Sequence, residues 1–294
     1  MRNQNVYKQA KKSLGQNFFT DPKLAQDIVE QVLAGKPDVM IEIGPGRGAF
    51  TEFFYKQMGG SLLLVEIDDE LAHMLKAFYR DATVIHGDIL DEKILKEVEE
   101  GKDSNNSSVY RDSRCGPQTA QLRTHHTAHQ VALSQSKQIT TSPSLFTTVF
   151  GALPYNISKP IIRKLLENNI ANEYWFIIQK EVAEAMTADK SSQFKLFTQI
   201  YADTRKVKFL SSHFFSPRPK VDSMLIQMTP NDNLSKIADV RKLERLIKAA
   251  FRFPRKTLAN NLKGTEFEGF LRNKKFATSR AEDLQLSDFI QMMS

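Results

Sequence analysis

The sequence predicts an α/β fold: an open, mostly parallel sheet flanked by helices, followed by a small all-helical domain. Three observations carry this reading. Val39–Thr51 reads V-M-I-E-I-G-P-G-R-G-A-F-T, an apolar strand, a glycine-rich turn and the mouth of a helix, which is the first unit of a nucleotide-cofactor α/β domain. Ser61–Ile67, S-L-L-L-V-E-I, is a continuous apolar run, as expected of a parallel strand buried on both faces. From Asn231 onward only helices are read, and Leu243, Leu246, Ile247, Ala250 and Phe251 form the stripe of an amphipathic helix. The expected domains are therefore 1–230 and 231–294.

The glycine loop sets the first chemical expectation. Gly44, Gly46 and Gly48 read G-x-G-x-G, not the dinucleotide G-x-G-x-x-G. Glycines let the backbone turn tightly and approach a ligand, and Pro45 stiffens the turn. Glu42, at the strand's end, would repel a diphosphate and attract a cation. S-adenosylmethionine (SAM) carries an ammonium and a sulfonium and no phosphate, so it suits this loop better than NAD. Glu66 ends the second strand, 22 residues beyond Gly44, where an acid usually holds a ribose diol. The competing reading makes it a cap for the next helix, a role that Asp68 and Asp69 fit equally. Asp88 follows the strand Thr83–His86, at a carboxyl end where open α/β sheets bind ligands.

The other elements follow from local signals. Asp21-Pro22 reads as the N-cap and first residue of a helix bearing Leu24, Ile28, Val29 and Val32 and ended by Gly35. Leu71, Met74, Leu75 and Phe78 are the expected buried stripe of the helix after Glu66. A fourth strand over Leu145–Phe150 delivers Ala152-Leu153-Pro154-Tyr155, after which Ser158 is expected to cap a helix opened by Pro160. Tyr174–Ile178 reads as a strand, Lys180–Met186 as a helix, and Arg205–Leu210 with Ser223–Met228 as a closing strand pair. From Gly101 to about Ser144 the chain is polar and poor in large apolar side chains, so a mostly disordered insertion is expected there, within 101–148. Its Cys115, His125, His126 and His129 match no standard zinc spacing, and no metal is expected.

Composition narrows the partners. The chain of 294 residues has a net charge of +7, and residues 231–294 carry 13 Lys/Arg against 8 Asp/Glu. This favours anionic partners, nucleic acid first, over the plainer reading of a solvated helical face. The basic first 20 residues read as an arm or a solvated tail. One cysteine excludes an internal disulfide and suits a reducing compartment. No apolar run approaches the roughly 18 residues of a membrane helix, and the N-terminus lacks the apolar core of a secretory signal. A cytoplasmic monomer without a membrane partner is expected.

Five features stand in order: Q-N-F-F at Gln16–Phe19, E-I-G-P-G-R-G at Glu42–Gly48, V-E-I-D at Val65–Asp68, G-D-I-L at Gly87–Leu90, and L-P-Y at Leu153–Tyr155. Together with Q-K-E-V-A at Gln179–Ala183, F-S-P-R-P-K-V-D-S at Phe215–Ser223 and R-K-T-L at Arg255–Leu258, they resemble the RNA adenine N6,N6-dimethyltransferase family, and its small-subunit rRNA branch most. The resemblance spans all but the 101–148 insertion. It implies a Rossmann-like SAM-dependent methyltransferase sheet domain with a small C-terminal helical domain that binds ribosomal RNA. It further implies that Asn17 and Phe19 contact the cofactor, that Gly44 lies against it, and that Gly46 and Glu42 belong to its loop. Glu66 would hold the ribose hydroxyls and Asp88 the adenine amino group. Tyr155 would stack on a flipped target adenine, with Phe215 on the other face.

One position departs. The family motif is N-L-P-Y, and here it is Ala152-Leu153-Pro154-Tyr155. The missing Asn side chain accepts a hydrogen bond from the target amino group, which a delocalised N6 lone pair needs to become nucleophilic. Main-chain carbonyls around Ala152-Leu153 remain. Three functions follow for test: SAM-dependent adenine dimethylation of rRNA, coupled to ribosome assembly; a catalytically impaired rRNA-binding or ribosome-assembly factor; and an NAD-dependent oxidoreductase, which the loop spacing and Glu42 disfavour.

Overall fold

The computed structural model describes Lys11 and residues 14–109, 145–271 and 274–293. A two-residue strand, β1 (Phe18–Phe19), precedes helix α1 (Pro22–Leu33). The side chain of Asp21 accepts the Leu24 N–H at 3.0 Å and Pro22 opens the helix, as the Asp-Pro pair predicts. Strand β2 (Val39–Ile43) is buried along its whole length and leads through the glycine loop into α2 (Thr51–Met58). Strand β3 (Leu62–Glu66) is likewise buried throughout. In α3 (Asp69–Phe78) the core face is Ala72 and Leu75, while Phe78 is 59% exposed. The buried face runs through Ala72, Leu75 and Tyr79, so Phe78 falls beside it, and Tyr79 packs against Tyr55 at a ring separation of 5.1 Å.

After β4 (Thr83–His86), helix α4 (Glu92–Val109) buries Ile94, Leu95 and Val98. Residues 101–109 are thus helical, contrary to the expected disorder. Gly101 fits the helix because a Cβ there would come within 2.8 Å of Leu63. At the other end of the expected insertion, Thr147 and Thr148 already belong to β5 (Thr147–Ala152). Residues 110–144, with Cys115 and the three histidines, lie outside the described residues.

The chain continues through α5 (Ser158–Glu167), β6 (Glu173–Gln179), α6 (Lys180–Thr187) and α7 (Gln193–Tyr201). Ser158 is the first residue of α5 rather than its cap: its hydroxyl donates to the Tyr155 carbonyl at 3.4 Å. Strands β7 (Ala202–Leu210), β8 (Phe215–Ser216) and β9 (Ser223–Pro230) follow, then helices α8 (Val240–Ala250), α9 (Leu258–Leu262), α10 (Lys274–Thr278) and α11 (Leu286–Met293).

Seven strands form one sheet in the order β4-β3-β2-β5-β6-β9-β7, and β1 pairs with β8 separately. The pairs β3–β4, β2–β3, β2–β5 and β5–β6 are parallel. From β2 the chain moves first outward to β3 and β4, then returns to the other side of β2 for β5 and β6. The crevice of such a sheet opens where the order reverses, at the carboxyl ends of the two central strands. The register Ile43↔Gly151 sets the glycine loop and Ala152 side by side there.

The chain forms two compact units. The first holds the described residues up to 109, Leu145–Lys180 and Val207–Gln227. The second holds Glu181–Lys206 and the residues from Met228. It therefore takes in α7, which the sequence assigned to the sheet domain: Leu196 and Ile200 share one apolar cluster with Leu243, Leu246, Leu258 and Phe289.

Candidate active site

The pocket lies at the carboxyl ends of β2, β3 and β5. Gly44, Gly46 and Gly48 all have left-handed φ, between 58° and 79°, which L side chains rarely adopt. A Cβ on Gly48 would come within 2.8 Å of the Tyr79 hydroxyl, and Gly46 is held from two sides. A Cβ there would stand 3.2 Å from the Phe18 ring, and its N–H donates to Glu66 Oε2 at 2.9 Å. The loop is pinned between the N-terminal segment on one side and β3 on the other. Beside Gly44 a Cβ would meet nothing within 4 Å, so the backbone there borders open space.

Glu66 is buried. Its two oxygens accept the Gly46 and Asp68 N–H groups, each at 2.9 Å. Burial raises its pKa, and the Asp68 and Gly46 amides oppose the rise. The helix cap is a different residue: Asp68 accepts from Glu70 N–H. Asp68 also binds the N-terminal segment through Lys11 Nζ at 2.9 Å and Gln16 Nε2 at 3.0 Å. Burial works against its ionised form, yet these two donors hold its pKa below the ordinary value.

Glu42 lies under the loop, 2% exposed, with Oε2 lacking a hydrogen-bond partner. Burial pushes its carboxyl up to about 8; the Thr51 hydroxyl, near it without a formed hydrogen bond, opposes the rise, and Glu66 adds to it.

The opposite wall is Ala152-Leu153-Pro154-Tyr155, which β5 delivers and the Leu153 N–H fastens to Ile177 O at 3.1 Å. The Tyr155 hydroxyl lies 2.6 Å from Ser223 Oγ, and burial raises its pKa. Phe215 pairs with Phe19 in the β1–β8 ladder, and their rings meet edge to face at 5.3 Å. Both rings belong to the core, with Phe50 4.8 Å from Phe19.

The pocket thus gathers Asn17, Phe19, Gly44, Gly46, Glu66, Ala152, Leu153, Pro154, Tyr155 and Phe215. Two predicted residues do not line it. Glu42 sits beneath the loop, and Asp88 uses Oδ1 to accept the Leu90 N–H at 2.9 Å. Sequence reasoning missed several lining residues: Ile67, and Arg47, whose guanidinium stacks on Phe18 at 4.0 Å. It also missed the Lys11–Asp68 tie, since a pairing across 57 residues leaves no local signal.

A single lining carboxylate, that of Glu66, glycine backbone beside open space and mostly apolar walls fit a cationic nucleoside without phosphates. A diphosphate would face Glu66, with Glu42 beneath the loop.

This fold and pocket fit the class of α/β methyltransferases. In overall fold the chain is similar to a dimethyladenosine transferase from Plasmodium falciparum (TM-score 0.62, 18% identity, 94% of this chain and 95% of that one). It is also similar to the 23S rRNA methyltransferase ErmE (TM-score 0.58, 18% identity, 94% and 98%). Residues 7–294 match the ribosomal RNA adenine dimethylase family model. Among its relatives are the ribosomal RNA small subunit methyltransferases A of Neisseria gonorrhoeae (33% identical over 263 residues, 86% of this chain and 83% of the relative) and Mannheimia succiniciproducens (30% over 291 residues, 96% and 88%). The chain belongs to the ribosomal RNA adenine dimethylase family. It is a SAM-dependent methyltransferase of adenine in ribosomal RNA.

Proposed function

We propose that the chain adds two methyl groups to N6 of an adenine in small-subunit ribosomal RNA during ribosome assembly, as a cytoplasmic monomer. The observation that carries the site assignment is the convergence of Glu66, the glycine loop and Ala152–Tyr155 on one crevice. SAM, when bound, supplies an electrophilic methyl on a sulfonium. Glu66 holds the ribose hydroxyls, while Gly44, Gly46, Asn17 and Phe19 border the donor. Glu42 lies beneath the loop and keeps its proton below about pH 8, and the carboxylate oxygen of Asp88 that Leu90 leaves unused receives the adenine amino group.

Tyr155 is held by Ser223 and offers its ring to the target adenine, with Phe215 behind it. Pro154 and Leu153 shape the turn that orients N6. Main-chain carbonyls at Ala152-Leu153 accept from N6–H and bring its lone pair out of conjugation. Catalysis here is positioning and electrostatics; the departing N6 proton goes to water. Ala152 removes one acceptor from this arrangement, and one such group is typically worth roughly 10²–10³ in rate.

The test is methyl transfer from labelled SAM to unmethylated small-subunit and large-subunit particles. Dimethyladenosine confined to small-subunit RNA is expected. Label on large-subunit RNA would overturn the substrate assignment. RNA binding without any transfer would move the chain to the assembly-factor class.

A further inference from the structure

Among the described residues, Phe209 is one of few large apolar side chains left exposed, at 50%. Single exposed hydrophobics are common, so exposure alone says little. Its surroundings say more. Phe209 sits on β7, the edge strand of the sheet, and Lys180 Nζ lies over its ring, 5.6 Å from the centroid. The backbone N–H of Lys180 donates to the Asp222 carbonyl at 2.9 Å. The next residue is Ser223, whose hydroxyl meets Tyr155 at 2.6 Å. The segment Val207–Asp222 carries Lys208, Arg218 and Lys220 against the single acid Asp222. The carboxylate of Asp222 already accepts the Ser212 N–H at 2.9 Å.

We propose that Phe209 and Lys180 form a second stacking platform, which takes an unpaired base neighbouring the target adenine in the RNA strand. This rests on the reading of the pocket as an RNA adenine methyltransferase site. Turning an adenine out of its stack deprives its neighbours of a partner face. An aromatic ring with a cation above it offers any base a replacement, and cations beside it take the phosphates. The surrounding positive charge selects a polyanion over an apolar protein partner. Through Asp222-Ser223 the platform is linked by hydrogen bonds to the hydroxyl of Tyr155.

The test measures affinity of the full chain, at one salt concentration, for a short single-stranded RNA with one adenine and for versions lacking one base at each flanking position. Base–aromatic stacking predicts that Phe209→Ala weakens binding of the intact strand roughly 5- to 100-fold. It also predicts that Phe209→Tyr restores binding. In the wild type, one flanking position should be costly to strip of its base, and in Phe209→Ala that position should become neutral. Equal affinity of wild type and Phe209→Ala would overturn the platform while leaving the methyltransferase reading intact. So would a uniform loss that Phe209→Tyr does not repair. A wild type that does not bind the short strand would overturn the platform, while the methyltransferase reading is decided by transfer to small-subunit particles.

Discussion

Two carboxylates at the site behave differently because their surroundings differ. Glu42 is enclosed, and its pKa of about 8 lies above the ordinary 4.5. Between those values the folded chain keeps a proton that the unfolded chain has released, so stability falls as pH rises through the window. Glu42→Gln should remove that slope. The check is thermal unfolding of both proteins from pH 5 to 8.5; a parallel pH dependence would show that Glu42 is ionised in the fold. Burial raises Glu66 as well, and the Asp68 and Gly46 amides oppose the rise. Its removal should weaken SAM binding roughly 10- to 100-fold, the worth of hydrogen bonds to a charged group. Calorimetric titration of Glu66→Ala, with circular dichroism to verify the fold, decides this; unchanged affinity would end the ribose assignment. The residues within the glycine loop and its strand were readable in the sequence because spacing and charge act locally. Those tied across the chain, such as Lys11 to Asp68, were not.

At the scale of elements, the buried parallel strands were readable because two-sided burial leaves a continuous apolar run. Thus β2 and β3 appear nearly residue for residue. Helix α4 was missed because its polar second half hid the stripe of Ile94, Leu95 and Val98. Helix α7 was missed because its burial is decided by the C-terminal helices rather than by its own pattern. Phe78 shows the converse: the spacing fits a helix, but the buried face runs one position on, through Ala72, Leu75 and Tyr79. In α8 the buried face is Leu243, Leu246, Ile247 and Ala250. Arg245, on its exposed side, is engaged by Glu266 at 2.9 Å, so Arg241 and Lys248 are the residues of this helix to test for phosphate contact.

For the whole molecule, the family follows from motifs spread over nearly the full chain, each weak alone and specific in combination. The positive charge concentrated after Asn231 should give RNA affinity a steep salt dependence. Neutralising Arg241, Lys248 and Arg252 together should flatten the slope of log affinity against log salt by roughly one unit for each phosphate left unneutralised. A slope unchanged in the triple variant would make that face ordinary solvated surface. The domain boundary was the least readable feature, because it depends on which cluster α7 joins.

The central claim is that the crevice still methylates adenine although Ala152 replaces the family's Asn. Single-turnover methylation of small-subunit precursor particles by wild type, Ala152→Asn and Tyr155→Ala tests it most directly. The expected result is dimethyladenosine from the wild type, faster formation with Ala152→Asn by up to roughly 10²-fold, and slower formation with Tyr155→Ala. No dimethyladenosine from the wild type, with SAM and RNA both bound, would contradict the account.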